Sequence, residues 1–371
     1  MNKKKVLYFI HSMCKSRVMK TFKEDADLNQ VVVGPKPRTY EGIIEGYDDF
    51  GIKDIRQYDN LKEAQKIINK VDPDVVVQTD MTAGISFPKK SKRVFVMHGT
   101  IGNHTKEALS HNFKGVSKTW SGFDLYCGSS NDFKDWINYV AGKGNEILLN
   151  ALPQFDLFHL KNYKTADKDM FMKRTKSPKA KKVILYCGFC CKNRIDYNDH
   201  NEDYFKTVLE LQKISEKNNY LSLIKPRQTY KQIMKFIDQE KYFEKYRSSY
   251  IKAQNSNHLY FVHPDSSLYN YFFADIVVVN GCSTVEIETC LAHKPLVVVR
   301  TAVKPEQYDP FDTVKSGVAF YVPNINDLET MLTSGLNSKD YKTKQDNFIK
   351  SMGILADGLA AERIQNRIKL L

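Results

Sequence analysis

The chain has 371 residues, 42% hydrophobic and 27% charged, which excludes disordered and fibrous classes and supplies enough apolar side chains for one large core or two medium ones. Lys plus Arg number 56 against 43 Asp plus Glu, a formal net charge of +13 that points toward polyanionic partners: nucleic acid, an anionic membrane surface or phosphate-bearing substrates. There is no apolar span of 18 residues, and the start runs directly into a strand-like segment, so the protein is expected to be cytoplasmic without a signal peptide or membrane helix.

In chain order, β-branched and aromatic runs fall at Val6–Ile10, Val31–Val33, Val75–Val77, Val94–Met97, Asp124–Cys127 and Ile147–Leu149. Between them, 61–71 places Leu61, Ala64, Ile67 and Ile68 on one helical stripe. A basic stretch comes next over 161–182, with nine basic and two acidic residues, a surplus of +7 and no apolar run. It is predicted to be an interdomain linker and a candidate contact for an anionic membrane surface. Six further runs lie beyond it, at Val183–Tyr186, Leu221–Ile224, Leu259–His263, Asp275–Val279, Leu296–Val299 and Val318–Val322. Helical periodicity appears at 203–215 and again in the tail over 344–371.

Alternation of strand and helix predicts parallel sheets with crossover helices, and unbroken runs such as Ile276-Val277-Val278-Val279 predict strands buried on both faces. The expected fold is α/β, two Rossmann-like doubly wound parallel-sheet domains facing a central cleft. The divisions are 1–160, the linker 161–182, a second domain 183–343, and a C-terminal helix 344–371 returning toward the first domain.

The strongest local signal is Val94-Phe95-Val96-Met97-His98-Gly99-Thr100-Ile101-Gly102. A buried strand ends at His98, and Gly99, Thr100 and Gly102 form a turn that lets backbone approach a ligand. An imidazole at a strand's carboxyl end has the intrinsic pKa to take a proton from a hydroxyl near neutral pH, which makes His98 the candidate general base. The bland alternative is a histidine bonded to loop backbone.

A second signal runs from Asp275 through Asn280-Gly281-Cys282-Ser283-Thr284-Val285-Glu286-Ile287-Glu288. After the Gly281 turn, Ser283 or Thr284 is positioned to cap a helix whose amides and dipole attract a phosphate. Glu288 is a candidate acceptor for ribose hydroxyls, or else an exposed helix acid. Lys225 and Arg227, just past a strand end, suit phosphate oxygens, and His263 before Pro264 is a candidate partner for a nucleobase. The seven cysteines are scattered, which fits a reducing compartment; Cys187, Cys190 and Cys191 resemble half a metal site without a second pair, so no metal is expected.

Together, the strand with His-Gly-Thr at 98–100, Lys-Lys-Val-Ile-Leu-Tyr at 181–186, Ile-Lys-Pro at 224–226, the 275–295 run ending in Lys-Pro, and Asp-Gly-Leu-Ala-Ala-Glu-Arg-Ile at 357–364 resemble GT-B glycosyltransferases. The most similar family is that of the CDP-glycerol glycerophosphotransferases, which build teichoic acids and related capsule polymers. The resemblance implies that His98 is the catalytic base and that Lys225, Ser283 and Thr284 bind the donor's diphosphate. Ile101 stands where that family has Pro, Arg227 where it has a second His, and Asn280-Gly281-Cys282 where it has an acidic turn. The 283–295 pattern is also similar to lipid A disaccharide synthases, Kdo transferases and non-hydrolysing UDP-N-acetylglucosamine 2-epimerases, in which the glutamate matching Glu288 holds ribose.

The resemblance further implies a metal-independent transferase, with no cofactor beyond a nucleotide-activated donor in the C-terminal domain. A polymer or lipid-linked acceptor would sit in the N-terminal domain, and the enzyme would work at the inner face of the membrane. One alternative is a UDP-sugar 2-epimerase-like enzyme. Another is a basic nucleic-acid-binding protein, which needs aromatics interleaved with basic residues; the linker offers only Tyr163 and Phe171, so nucleic acid is not the expected partner.

Overall fold

Segments with β-branched residues at consecutive positions have no polar face to turn outward, so they form strands covered on both sides. In a computed structural model, which describes residues 3–40, 43–48, 50–79, 84–99, 121–159, 168–174, 179–188, 198–280, 284–301, 309, 311–334, 336 and 339–371, these runs build two parallel sheets. The chain divides into two compact units, Met1–Tyr163 with Ile349–Leu371, and Lys164–Phe348.

In the first unit the strands are β1 (Lys4–Phe9), β2 (Leu28–Pro35), a small antiparallel hairpin of β3 (Arg38–Tyr40) and β4 (Ile43–Glu45), β5 (Ile55–Tyr58), β6 (Val75–Gln78), β7 (Lys92–Val96), β8 (Leu125–Cys127) and β9 (Ile147–Leu148). Seven of them form one parallel sheet in the order β5-β2-β1-β6-β7-β8-β9. One face is covered by helix α1 (Leu61–Val71) through Ala64, Ile68 and Val71, and by α2 (Asn131–Val140) through Phe133, Trp136 and Ile137. Asn60 starts α1 by accepting from the Glu63 amide at 3.1 Å, and Glu63 accepts in turn from the Asp59 amide at 2.7 Å.

Six strands of the second unit are all parallel: β10 (Lys182–Gly188), β11 (Tyr220–Pro226), β12 (Leu259–Phe261), β13 (Ile276–Val279), β14 (Leu296–Val299) and β15 (Phe320–Val322), in the order β12-β11-β10-β13-β14-β15. Both β13 and β14 are buried at every position, as their unbroken valine runs require. The helices are α3 (Lys168–Arg174), α4 (Asn198–Asn218), α5 (Tyr230–Gln239), α6 (Arg247–Gln254), α7 (Val285–Leu291), α8 (Leu328–Thr333) and α9 (Lys339–Ser351), and α10 (Ala360–Leu370) closes the chain.

Two expectations change. The tail is two helices instead of one, separated around Gly353, whose φ of +69° is the left-handed conformation that ends helices. The second of them, α10, packs Ala361, Ile364 and Ile368 into the first unit's core, and Asp156 accepts from the Ala360 and Ala361 amides at 3.0 and 2.8 Å. The basic stretch also holds more than a connector. Within it, α3 buries Phe171 against Tyr260, Tyr271 and Phe273, and Lys168 pairs with Asp275 at 3.4 Å. A single aromatic ring among lysines is enough to dock a short helix when a ring cluster receives it.

Candidate functional site

The order of the second sheet reverses direction between β10 and β13, and open α/β sheets bind ligands beyond the carboxyl ends of strands at such a point. Near the carboxyl ends of these strands Cys187 aligns with Lys225 on one side, one rung before the last, and with Val279 on the other. Burial pushes the Cys187 thiol up to about 12; Lys225 pulls it down and Glu288 pushes it up, so both charges act on this one rung. A thiol held so high stays protonated, which makes Cys187 a poor metal ligand or nucleophile.

Lys225 is half-buried, and its ammonium donates to the backbone carbonyls of Pro264, at 2.8 Å, and His263, at 3.5 Å. Carbonyl oxygens orient the cation without cancelling its charge. The same contact brings Lys225 and His263 together, and the His263 ring is oriented by the Asp265 amide, which donates to Nδ1 at 3.1 Å. Arg227 stands exposed two residues beyond Lys225.

Glu288 is 1% exposed on α7 and accepts from the Tyr269 hydroxyl at 3.3 Å. It is therefore not an exposed helix acid, and an acid kept so deep beside a strand end has a polar ligand or a structural bond to answer for it. Two residues earlier, Glu286 takes the structural role. It is fully buried, pairs with Arg300 at 3.2 Å and accepts from Thr313 Oγ1, while Asp309 lies 3.8 Å from the same guanidinium and accepts from the Val314 and Lys315 amides at 3.0 Å each. Nothing in the spacing of two glutamates on a helix distinguishes them; the partner Arg300 ends a valine strand and carries no motif.

The cap expected at Ser283 or Thr284 is not made by Thr284. That residue holds the cap position of α7 in helical backbone, φ −49° and ψ −20°, with no side-chain capping bond, because a capping hydroxyl reaches back to the first amides only from extended backbone. Ser283 and Gly281 lie outside the described residues, as do Thr100 and Gly102.

In the first unit β7 ends at Val96, and the Met97 amide donates to the Cys127 carbonyl at 2.9 Å, carrying the ladder one residue further. His98 comes next at the carboxyl edge of this sheet, half-buried, and Gly99 after it is buried. The structure brings Lys225 and His263 into contact at the carboxyl edge of the second sheet, buries Glu288 on α7 against Tyr269, and sets His98 at the carboxyl edge of the first sheet. Sequence reasoning missed Tyr269, which orients Glu288; a tyrosine 19 positions away in a short helical turn gives no local signal.

No family model and no curated protein matches the chain. Solved structures do. A co-structure of Staphylococcus aureus MnaA with UDP aligns over 99% of this chain and 96% of its own at a TM-score of 0.59 and 15% identity. The wall teichoic acid polymerase TagF, solved with CDPG, aligns over 99% and 88% at 0.58 and 13%. The UDP-GlcNAc 2-epimerase of Methanocaldococcus jannaschii aligns over 100% of both chains at 0.55 and 14%. The chain has the GT-B fold. At these identities the likeness shows the fold alone, and the chemistry rests on this chain's own residues. Among the described residues no helix is long and apolar enough to cross a membrane, and no group of three or more His, Cys, Asp and Glu is placed to hold a metal ion.

Proposed function

We propose that the protein is a nucleotide-dependent transferase of cell-surface polymer or glycolipid synthesis. It moves a glycerol-phosphate or sugar group from a donor such as CDP-glycerol or a sugar nucleotide to an acceptor hydroxyl. The observation that carries this reading is Glu288, buried on α7 and bonded by Tyr269, in the same unit as Lys225, whose ammonium is held by the His263 and Pro264 carbonyls at the carboxyl end of β11. A buried acid suits a ribose diol and a carbonyl-oriented ammonium suits a diphosphate, so the pair has the two chemistries of a nucleotide diphosphate. Neighbours of the same fold solved with UDP and with CDPG support that ligand class.

In the proposed reaction His98 takes the proton of the acceptor hydroxyl, and that oxygen attacks the donor's phosphorus or anomeric carbon. The bond to the nucleotide phosphate oxygen breaks and its electron pair leaves with the nucleotide. Lys225 and Arg227, with Ser283 and Thr284, stabilise the charge that develops there and take the part a divalent ion plays elsewhere. His263 is the candidate partner of the base.

A second reading, a UDP-sugar 2-epimerase-like enzyme, is favoured by the full-length likeness to the UDP-GlcNAc 2-epimerase of Methanocaldococcus jannaschii. A thermal-shift panel of CDP-glycerol and of CMP-, UDP- and GDP-sugars tests both at once, since a ligand that binds the native state raises Tm by mass action. Silence from every nucleotide sinks both readings. Nucleotide release that starts only when an acceptor is added establishes transfer; an epimer formed without acceptor establishes the alternative.

A further inference from the structure

The carboxyl edge of the first sheet carries a group that the proposed reaction leaves unused. After β8, Gly128-Ser129-Ser130 turns directly into α2. A Cβ on Gly128 would stand 2.3 Å from the ring of Phe133, so only glycine lets the first turn of the helix press this closely on the strand end. Ser130 occupies the cap position of α2 with the extended backbone of a capping residue, φ −144° and ψ 173°, yet its side chain makes no capping bond. The hydroxyls of Ser129 and Ser130, on residues 2% and 3% exposed, have no hydrogen-bond partner among the described residues, and neither does Thr79, 2% exposed, just past the end of β6. Buried hydroxyls are normally bonded, and two without partners in the turn after β8, with a third after β6 on the far side of β7, point to a ligand that supplies the bonds.

Position identifies its neighbourhood. Val96 pairs with Cys127 on the last rung between β7 and β8, and His98 and Ser129 each lie two residues beyond that rung. Strands in a sheet are about 4.8 Å apart, so the serine turn is beside His98, and Thr79 flanks it from the other side. Hydroxyls that donate, together with the first amides of a ten-residue helix and its dipole, suit an anion. Asp132, in the first turn of α2, opposes that preference and limits the charge the site accepts.

We infer that Ser129, Ser130 and the first turn of α2 form a phosphoryl-binding subsite beside His98, so that the acceptor is a phosphate-bearing alcohol. Thr79, across β7, meets the uncharged part of the same molecule. That the ligand is the acceptor rests on the transferase reading; the anion site itself does not.

The test is calorimetric titration of the full chain in a Lys225→Ala background, so that the second unit does not report, with sn-glycerol 3-phosphate, inorganic phosphate and glycerol as probes. Glycerol 3-phosphate is expected to bind and glycerol not to. The paired Ser129→Ala and Ser130→Ala variant should weaken binding at least about tenfold, the magnitude of one or two lost hydrogen bonds to a charged group. Ser130→Asp restores a helix cap, so Tm should hold or rise, while its carboxylate should abolish binding; Asp132→Asn should tighten it a few-fold. Affinity unchanged within twofold in both serine variants, or equal binding of glycerol, overturns the site. Equal affinity for inorganic phosphate and glycerol 3-phosphate overturns the acceptor assignment. Failure of the parent chain to bind any nucleotide would remove the transferase reading and leave this titration intact.

Discussion

The carboxyl edges of the two sheets share a topology and differ in chemistry. In the second unit the edge is charged and fixed: Lys225 on two carbonyls, Glu288 on Tyr269, Glu286 on Arg300. In the first unit the described residues at the edge include an imidazole at 98 and the hydroxyls of Thr79, Ser129 and Ser130. Fixed charge is suited to a leaving group that gains charge, because oriented groups need no reorganisation as the bond breaks. A proton acceptor among hydroxyls is suited to an attacking alcohol. In the proposed reaction the same strand-end position would serve the attacking alcohol in one unit and the leaving group in the other.

If that division is right, substitutions on the two edges separate turnover from binding. His98→Ala should lower turnover by about 10²- to 10⁴-fold, the range of a lost general base, and leave nucleotide affinity within about twofold. Single-turnover rates and a nucleotide titration on the same preparation measure both. Loss of nucleotide binding with His98 would erase the distinction between the edges.

Glu286 and Glu288 provide the sharpest contrast within one edge. Removing one partner of a buried ion pair strands the other charge, so Glu286→Ala should destabilise the second unit by about 3–5 kcal/mol, read by denaturant unfolding. Glu288→Gln keeps a partner for Tyr269 and should leave stability within about 1 kcal/mol while weakening nucleotide binding. Equal destabilisation by the two variants would make Glu288 a second structural acid.

Sequence pattern reaches the central strands because valine-rich runs admit one reading. It does not reach β5, where Tyr58 is the one buried position of Ile-Arg-Gln-Tyr at a sheet edge, or the β3–β4 hairpin. It treats α3 as linker because Phe171 is a lone ring among lysines, and the ring cluster that receives it comes from residues about 90 to 100 positions later. The strand–Gly–hydroxyl–helix pattern is plain at 281–284, yet 127–131 repeats it; the shorter β8 hides the second instance. His98 is legible because it lies just beyond a buried strand end; Lys225, expected just past a strand end, is the next-to-last residue of β11, and Glu288 is legible from the helix after β13, whereas Tyr269 and Arg300 act through tertiary contacts that leave no periodic trace.

Lys225→Ala should raise the dissociation constant for a nucleotide diphosphate by about 10- to 100-fold, the 1.5–3 kcal/mol of hydrogen bonds from a charged donor, with a much smaller effect on the nucleoside alone. An equal loss for nucleoside and diphosphate would place Lys225 at the base or ribose and not at the leaving group.

The two units should also answer acid with opposite signs, the smallest of these effects. For Glu202, burial raises the carboxyl's pKa, but bonds from Tyr242 and Tyr246 and the charge of Lys206 outweigh it and hold the group at about 2. A depressed acid stabilises the fold above its ordinary value of 4.5 and loses that contribution as pH falls toward 2. Asp156 is the reverse. Burial raises it above its ordinary 3.8 despite the Ala360 and Ala361 amides, so its contribution is present below 3.8 and is lost as pH rises through the raised value. Acidification from pH 5 therefore removes stability from the second unit through Glu202 and adds it to the first through Asp156. Amide exchange, measured separately in β10–β11 and in β1–β6, should show Glu202→Gln flattening the acid limb of the second unit and Asp156→Asn removing the opposing limb of the first. Solvent around Glu202 screens its part to a modest slope, so the sign of the difference between variant and parent is the decisive reading. Parallel acid limbs in both units, unaltered by either substitution, would show that neither carboxyl sets the pH response of its sheet.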